Sequence, residues 1–248
     1  MNKIFFFGSS EYSIKVFENL DPDLLNNFDI KYFTNNLESK RFDSKIYMKD
    51  KKYTCDLLLS VGFSEKILIN NIKSAYGLFN IHQSLLPEYR GRHPVQAMII
   101  NGEKTYGCTL HHLDKNFDTG NIVKTLSKKY VNVPNEITVR KLIVQKSIEL
   151  AEYLLNNYQQ GSIKSIRQNK KPNFLAPERK PDDSQITEKL DFVTIKNMTK
   201  ALMGDNYRPF IIQDNKKIYI KNVFNYNLKN RNLIKFKSMS KVIYLEKY

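Results

Sequence analysis

Two cysteines in 248 residues, Cys55 and Cys108, are too few to staple a secreted domain, and neither has neighbours at metal-ligand spacing. Each sits inside an apolar run, which reads as a buried, reduced thiol. Long apolar stretches are missing as well: none approaches the roughly 20 residues that a membrane-spanning helix requires. The opening MNKIFFFGSSEYS lacks the small-residue cleavage site of a secretory signal and reads as a first strand. The expectation is a cytoplasmic protein with no membrane insertion. Gly8-Ser9-Ser10 follows that strand without completing a G-x-G-x-x-G loop, so dinucleotide binding is not indicated.

Acidic charge is the scarcer sign. The chain holds 40 Lys and Arg against 25 Asp and Glu, a net charge of +15. Residues 151–248 carry 19 basic against 9 acidic side chains, so +10 of that surplus falls in the last two-fifths. Such a region could face nucleic acid, an anionic membrane or a phosphorylated substrate. Against a dedicated nucleic-acid surface stands the composition, with 32 Lys to 8 Arg and abundant Asn and Ile throughout. We read a general bias, and nucleic acid is not an expected partner. A 41% share of hydrophobic residues and 12% aromatics is enough to bury a core.

Apolar periodicity alternates between strand and helix over the first half. Lys3–Gly8, Phe28–Phe33, Cys55–Phe63, Leu78–His82, Gly107–Leu113 and Asn121–Leu126 read as strands. Ser13–Leu20, Glu65–Ile72, Pro94–Asn101 and Glu136–Tyr158 read as helices, the last with Gly161 just beyond its end. This alternation predicts an α/β fold with a mostly parallel sheet flanked by helices. Residues 1–165 form the expected catalytic domain, the polar and proline-containing 166–186 a linker or ordered loop, and 187–248 a small C-terminal α+β extension. That extension has a helix at Val193–Met203 and a hairpin turning at Asp214–Asn215. Its terminal hairpins would offer edge strands to a second copy, so a homodimer is one expectation.

The segment 80–123 carries the chemistry. Asn80 and His82 are two apart on an extended strand and so share a face, and they stand where a central strand ends. Ligands of open α/β sheets gather beyond such ends. Asp118 lies in a turn-like FDTG that could return to the same rim. Taken singly, each of the three is as well explained as a strand end or a turn former.

Their surroundings distinguish them. Asn80, His82, Ser84, Leu85, Leu86, Pro87, Tyr89, Arg90, Gly91 and Pro94, followed by Asn101, Gly102, Glu103, Gly107, Thr109, His111, Asp118, Gly120 and Ile122, make a pattern that resembles the formyltetrahydrofolate-dependent formyltransferases. The likeness is strong over residues 1–125 and weak beyond. It implies a Rossmann-like catalytic domain, 10-formyltetrahydrofolate as co-substrate and no metal. It also assigns roles: His82 to handle the proton, Asn80 to donate to the oxyanion, Asp118 to orient His82 and a relaying water. By the same resemblance the folate meets Gly62, Phe63 and Ile67 of the GFSEKI loop, the Ser84, Leu85, Leu86, Pro87 turn, and Asp114. Ser9, Ser10, Tyr89, Arg90, Gly91 and His93 fall to the amine substrate, Arg90 as a bidentate phosphate partner. Gln83 stands where relatives often carry Gly or Pro.

Three acceptors compete within that family. The Tyr89-Arg90-Gly91 run and the C-terminal extension disfavour glycinamide ribonucleotide, and too little chain follows the linker for a tRNA-binding barrel. Arg179-Lys180-Pro181-Asp182-Asp183-Ser184-Gln185-Ile186 is similar to a segment of the enzymes acting on nucleotide-linked amino sugars, as is Tyr207-Arg208-Pro209-Phe210, although the Gly-Ala that usually follows is missing. A dTDP- or UDP-linked amino-dideoxysugar is the expected partner. A tRNA-formylating enzyme, or a silent binder of folate or nucleic acid, is the alternative.

Overall fold

The computed structural model describes residues 1–35, 44–158, 163–228, 233–239 and 241–248. Gly161, expected to close the long helix, lies outside them. Two units emerge, each drawing on three stretches of the chain. The first comprises Met1–Arg90, Tyr106–Lys128 and Lys141–Phe174, and the second Gly91–Thr105, Lys129–Arg140 and Leu175–Tyr248.

The first unit is built on a seven-stranded sheet. Its strands are β1 (Asn2–Phe7), β2 (Phe28–Thr34), β3 (Lys45–Ile46), β4 (Tyr53–Val61), β5 (Ile72–His82), β7 (Thr105–His112) and β8 (Ile122–Lys129), with the two-residue β6 (Arg90–Gly91) lying outside it. The order is β3-β2-β1-β4-β5-β7-β8. All pairings from β3 across to β5 are parallel, and β5 with β7 is antiparallel. This is the mostly parallel, helix-flanked α/β sheet that the alternation predicts.

Helix α1 (Glu11–Glu18) starts on a capping box in which Ser10 and Ser13 serve each other's backbone. Short α2 (Pro22–Leu25) leads into β2. Strand β4 is buried at Cys55 and from Leu57 to Val61, as a strand covered on both faces must be. Phe5, Phe7, Phe33, Tyr47, Cys55, Leu58, Ile67 and Ile72 form one apolar cluster. Cys108, in β7, is pushed up to about 12 by burial and lies 3.3 Å from Ser147 of the long helix α4 (Glu136–Asn157).

No helix forms over 65–72. A 3₁₀ turn at Ile69–Asn71 leads straight into β5. Chain length explains the difference. Tyr53 pairs with Ile72 and Val61 with Ile81, so the link from Val61 to Ile72 must travel back along the whole strand. That distance is about 26 Å at about 3.3 Å per strand residue. The ten linking residues cover it only if largely extended, because an eight-residue helix advances just about 12 Å.

The second unit holds α3 (Pro94–Ile100), the two-residue β9 (Leu175–Ala176), α5 (Phe192–Ala201) and a four-stranded sheet. That sheet runs β10-β11-β13-β12, from β10 (Phe210–Gln213), β11 (Lys216–Phe224), β12 (Leu233–Ser238) and β13 (Lys241–Lys247). Its first hairpin turns at Asp214 and Asn215, both with positive φ (51° and 59°), as a two-residue primed turn demands. Helix α5 packs against α3 and β11. Residues 181–184 form a 3₁₀ turn, and no described helix is long and apolar enough to cross a membrane.

Candidate active site

Asn80 and His82 occupy the last turn of the pleat in β5, and the antiparallel register sets Asn80 opposite His111 and His82 opposite Thr109 of β7. Opposed residues project from one face, so the Asn80 amide meets an imidazole: Nδ2 lies 3.1 Å from His111 Nε2. The hydrogen-bond network fixes the tautomer. His111 Nδ1 is 2.8 Å from the His112 carbonyl, which can only accept, so Nδ1 carries the proton and Nε2 offers its lone pair. Asn80 therefore donates. Burial, opposed by the Asp118 carboxylate and reinforced by His82, pushes His111 down to about 4 and keeps it neutral near pH 7.

His82 is buried and anchored through its far nitrogen, with Nε2 donating to the Tyr89 carbonyl at 2.9 Å. Nδ1 is thereby the nitrogen that faces the site. Asp118 Oδ1 stands 3.4 Å from it and 3.7 Å from His111 Nε2, with the aspartate side chain 12% exposed. Tyr89 and Asp118 both hold left-handed backbone, with φ 59° and 56°. Such geometry is uncommon outside glycine and needs surrounding contacts to persist.

Those contacts exist on each side. The Tyr89 ring stacks on Phe174 (5.6 Å, 11°), and its N–H donates to the Phe174 carbonyl at 2.9 Å. The Glu88 carboxylate accepts from the Asn173 and Phe174 amides at 2.8 and 3.0 Å. Thr109 Oγ1 donates to the Ser84 carbonyl and accepts from the Leu86 amide, which ties the turn after β5 to β7. On the Asp118 side Gly120 presses against β7, and a Cβ there would stand 1.8 Å from the His112 carbonyl oxygen. Only glycine permits that approach.

The other expected residues divide. Ser84 is fully buried, its hydroxyl donating to the Glu88 carbonyl at 2.7 Å, and Leu86 is buried, while Leu85 and Pro87 are half-buried. Ile67 is core, and Phe63 is half-buried with its ring 5.2 Å from Phe7. Ser9 bridges the loops after β1 and β4 by accepting from the Ser64 amide at 2.8 Å and reaching the Gly62 carbonyl at 3.4 Å. Ser10 is engaged as the α1 cap. Asp114 is exposed and accepts from the Lys115 amide. Arg90 donates through Nη2 and Nε to Gln168 Oε1, at 2.6 and 3.3 Å. Gly91 and His93 belong to the second unit. There His93 Nδ1 accepts from the Arg179 amide at 2.8 Å and its ring meets Tyr207, so two stretches singled out in the sequence come together. Burial, then the Arg179 charge, lowers the His93 pKa.

Two participants escape a reading of single residues. His111 appears in the motif but shows its place only through the β5–β7 register. Gln168 falls in a stretch that composition assigns to a linker. Among the described residues no group of three or more His, Cys, Asp or Glu is arranged to hold a metal ion.

Known proteins match this chain along its length. Residues 17–153 fit the family model described as Formyl transferase. Among solved structures, a 4-N formyltransferase from Francisella tularensis is 18% identical with TM-score 0.72, over 88% of this chain and 96% of that one. WlaRD, a sugar 3N-formyl transferase solved in the presence of dTDP and 5-N-formyl-THF, is 22% identical with TM-score 0.72, over 100% and 98%. An N-formyltransferase from Helicobacter canadensis, in complex with folinic acid and dTDP-3-aminofucose, is 18% identical with TM-score 0.70 over the full length of both. At these identities the likeness to the solved structures is one of fold.

Proposed function

The chain belongs to the formyl transferase family, and from that premise we propose that it moves a formyl group from 10-formyltetrahydrofolate to the amine of a dTDP- or UDP-linked amino-dideoxysugar. The sugar is of the 4-amino-4,6-dideoxyglucose type, and its product serves a bacterial surface polysaccharide such as O-antigen. The observation that carries this reading is the coupled pair of contacts Asn80–His111 and His82–Asp118 at one sheet rim. The acceptor rests on the full-length fold likeness to one enzyme described as a sugar 3N-formyl transferase and to an N-formyltransferase in complex with dTDP-3-aminofucose, and on the Arg179–Ile186 segment.

The rim suits such a donor on chemistry. Half-buried Leu85 and Pro87, in the turn that follows His82, would give apolar surface for a flat ring. When bound, the donor supplies an activated formyl group. Asn80 serves His111 with one N–H and keeps the other for the oxygen that gains negative charge, a role worth about 10²–10³ in rate elsewhere. His82 takes the amine's proton on Nδ1, since Nε2 is held by Tyr89. The new positive charge then lies 3.4 Å from the Asp118 carboxylate, and the proton would pass to the donor's nitrogen as its bond to the formyl carbon breaks and tetrahydrofolate leaves.

The test is a competition among acceptors. With 10-formyltetrahydrofolate present, turnover is expected on dTDP-4-amino-4,6-dideoxyglucose or its UDP counterpart, and not on methionyl-tRNA. Turnover on the 3-amino isomer alone would move the amine and keep the class. Formylation of charged tRNA and of no sugar would overturn the proposal, and binding of folate without any transfer would favour a silent relative.

A further inference from the structure

We infer that Gln168 is a positioning residue for Asp118. The inference rests on the formyl-transfer reading, which is what gives the Asp118 carboxylate its task. Two residues before Gln168, Ile166 exchanges backbone hydrogen bonds with Ile122 at 2.8 Å in both directions, which fastens this stretch along the start of β8. From there the Gln168 carboxamide reaches the Asp-Thr-Gly turn. Nε2 donates to the Asp118 carbonyl at 3.0 Å and to the Gly120 carbonyl at 2.6 Å. Oε1 accepts from Arg90 Nη2 at 2.6 Å. One side chain thus holds both ends of the turn and is itself held by a guanidinium.

The turn needs such a hold. Asp118 adopts φ 56°, a conformation that an L-residue reaches reluctantly, and its side chain must stay 3.4 Å from His82 Nδ1. Gly120 blocks the turn from moving toward β7 because its backbone already touches the His112 carbonyl. Gln168 grips the carbonyls of the same turn. The chemistry selects the residue type, because a carboxamide alone combines donors for two carbonyls with an acceptor for Arg90. A glutamate would keep the guanidinium contact and lose both donors, and a lysine would keep donors and repel Arg90.

Gln168→Glu and Gln168→Leu separate these roles. The first removes only the N–H donors, the second both halves. In each, kcat for formyl transfer is expected to fall about 10- to 100-fold while KM for donor and acceptor stays within about twofold. In an Asp118→Asn background the same Gln168→Glu change is expected to add less than about twofold, because the group it positions is already gone. Wild-type kcat in Gln168→Glu, or a fully multiplicative loss on Asp118→Asn, would overturn the assignment. Crystal structures of the wild-type and Gln168→Glu proteins without substrate give a readout independent of any acceptor. The Asp118 carboxylate is expected to leave His82, and an unmoved carboxylate overturns the role. A wild-type chain that formylates no amino sugar would instead defeat the functional reading, with the structural comparison still deciding Gln168.

Discussion

Asn80 donates its side-chain amide to Nε2 of His111 across two antiparallel strands, at 3.1 Å. The contact orients Asn80 without using both of its donors, and it works because His111 is neutral with the proton on Nδ1. An amide free to rotate would present its oxygen to developing negative charge as readily as its nitrogen.

Replacing His111 by Leu removes the acceptor and keeps the site apolar. We expect kcat to fall about 10- to 100-fold with KM little changed, since the loss is one of orientation at the reacting centre. Steady-state kinetics on a folded variant check this, and an unchanged kcat would show that Asn80 needs no partner.

The same histidine makes stability depend on acid. In the folded chain burial holds His111 near 4, against an ordinary 6.5. Between those values the unfolded chain binds a proton that the folded site refuses, so stability falls as pH drops from about 6.5 toward 4 and is unaffected above. The full effect is on the order of 3 kcal/mol. His93 and His112, also lowered by burial, act in the same direction. Urea midpoints measured from pH 7.5 down to 4.5 are expected to fall less steeply in His111→Gln than in the wild type.

Much of this arrangement is legible in the sequence, and the gaps have causes. Continuous apolar Cys55–Val61 announces a central strand, and Asn80, His82 and Asp118 announce a rim. Glu65–Ile72 misleads, because Leu68 and Ile69 each stand at helical spacing from Ile72 while the length of β4 demands an extended return. Strand β5 begins six residues earlier than its apolar signal at Leu78, since Lys73, Ser74 and Gly77 hide it. His111 becomes visible only through strand register, a tertiary fact. Gln168 gives no local signal, as its partners stand 48, 50 and 78 residues away.

Asp118→Asn keeps the volume and removes the charge next to His82. We expect kcat to fall about 100-fold or more while the melting temperature moves little, because the side chain carries a mechanistic role and not core packing. Thermal denaturation alongside kinetics separates the two effects.

Gly120→Ala drives a methyl into the His112 carbonyl, where a Cβ would stand at 1.8 Å. Relief requires the Asp118–Gly120 turn to shift. A destabilisation of about 2 kcal/mol and a parallel fall in kcat are expected. Denaturant titration and a single assay on the same preparation suffice, and a variant with wild-type stability would mean the turn is free to move.

The central claim is that this rim performs formyl transfer with His82 handling the proton. The most direct measurement is the single-turnover rate of formyl transfer to the nucleotide-linked amino sugar by His82→Ala, with the melting temperature confirming the fold. A loss of about 100-fold or more is predicted. A folded variant within about threefold of the wild-type rate would contradict it, because general-base roles carry larger effects.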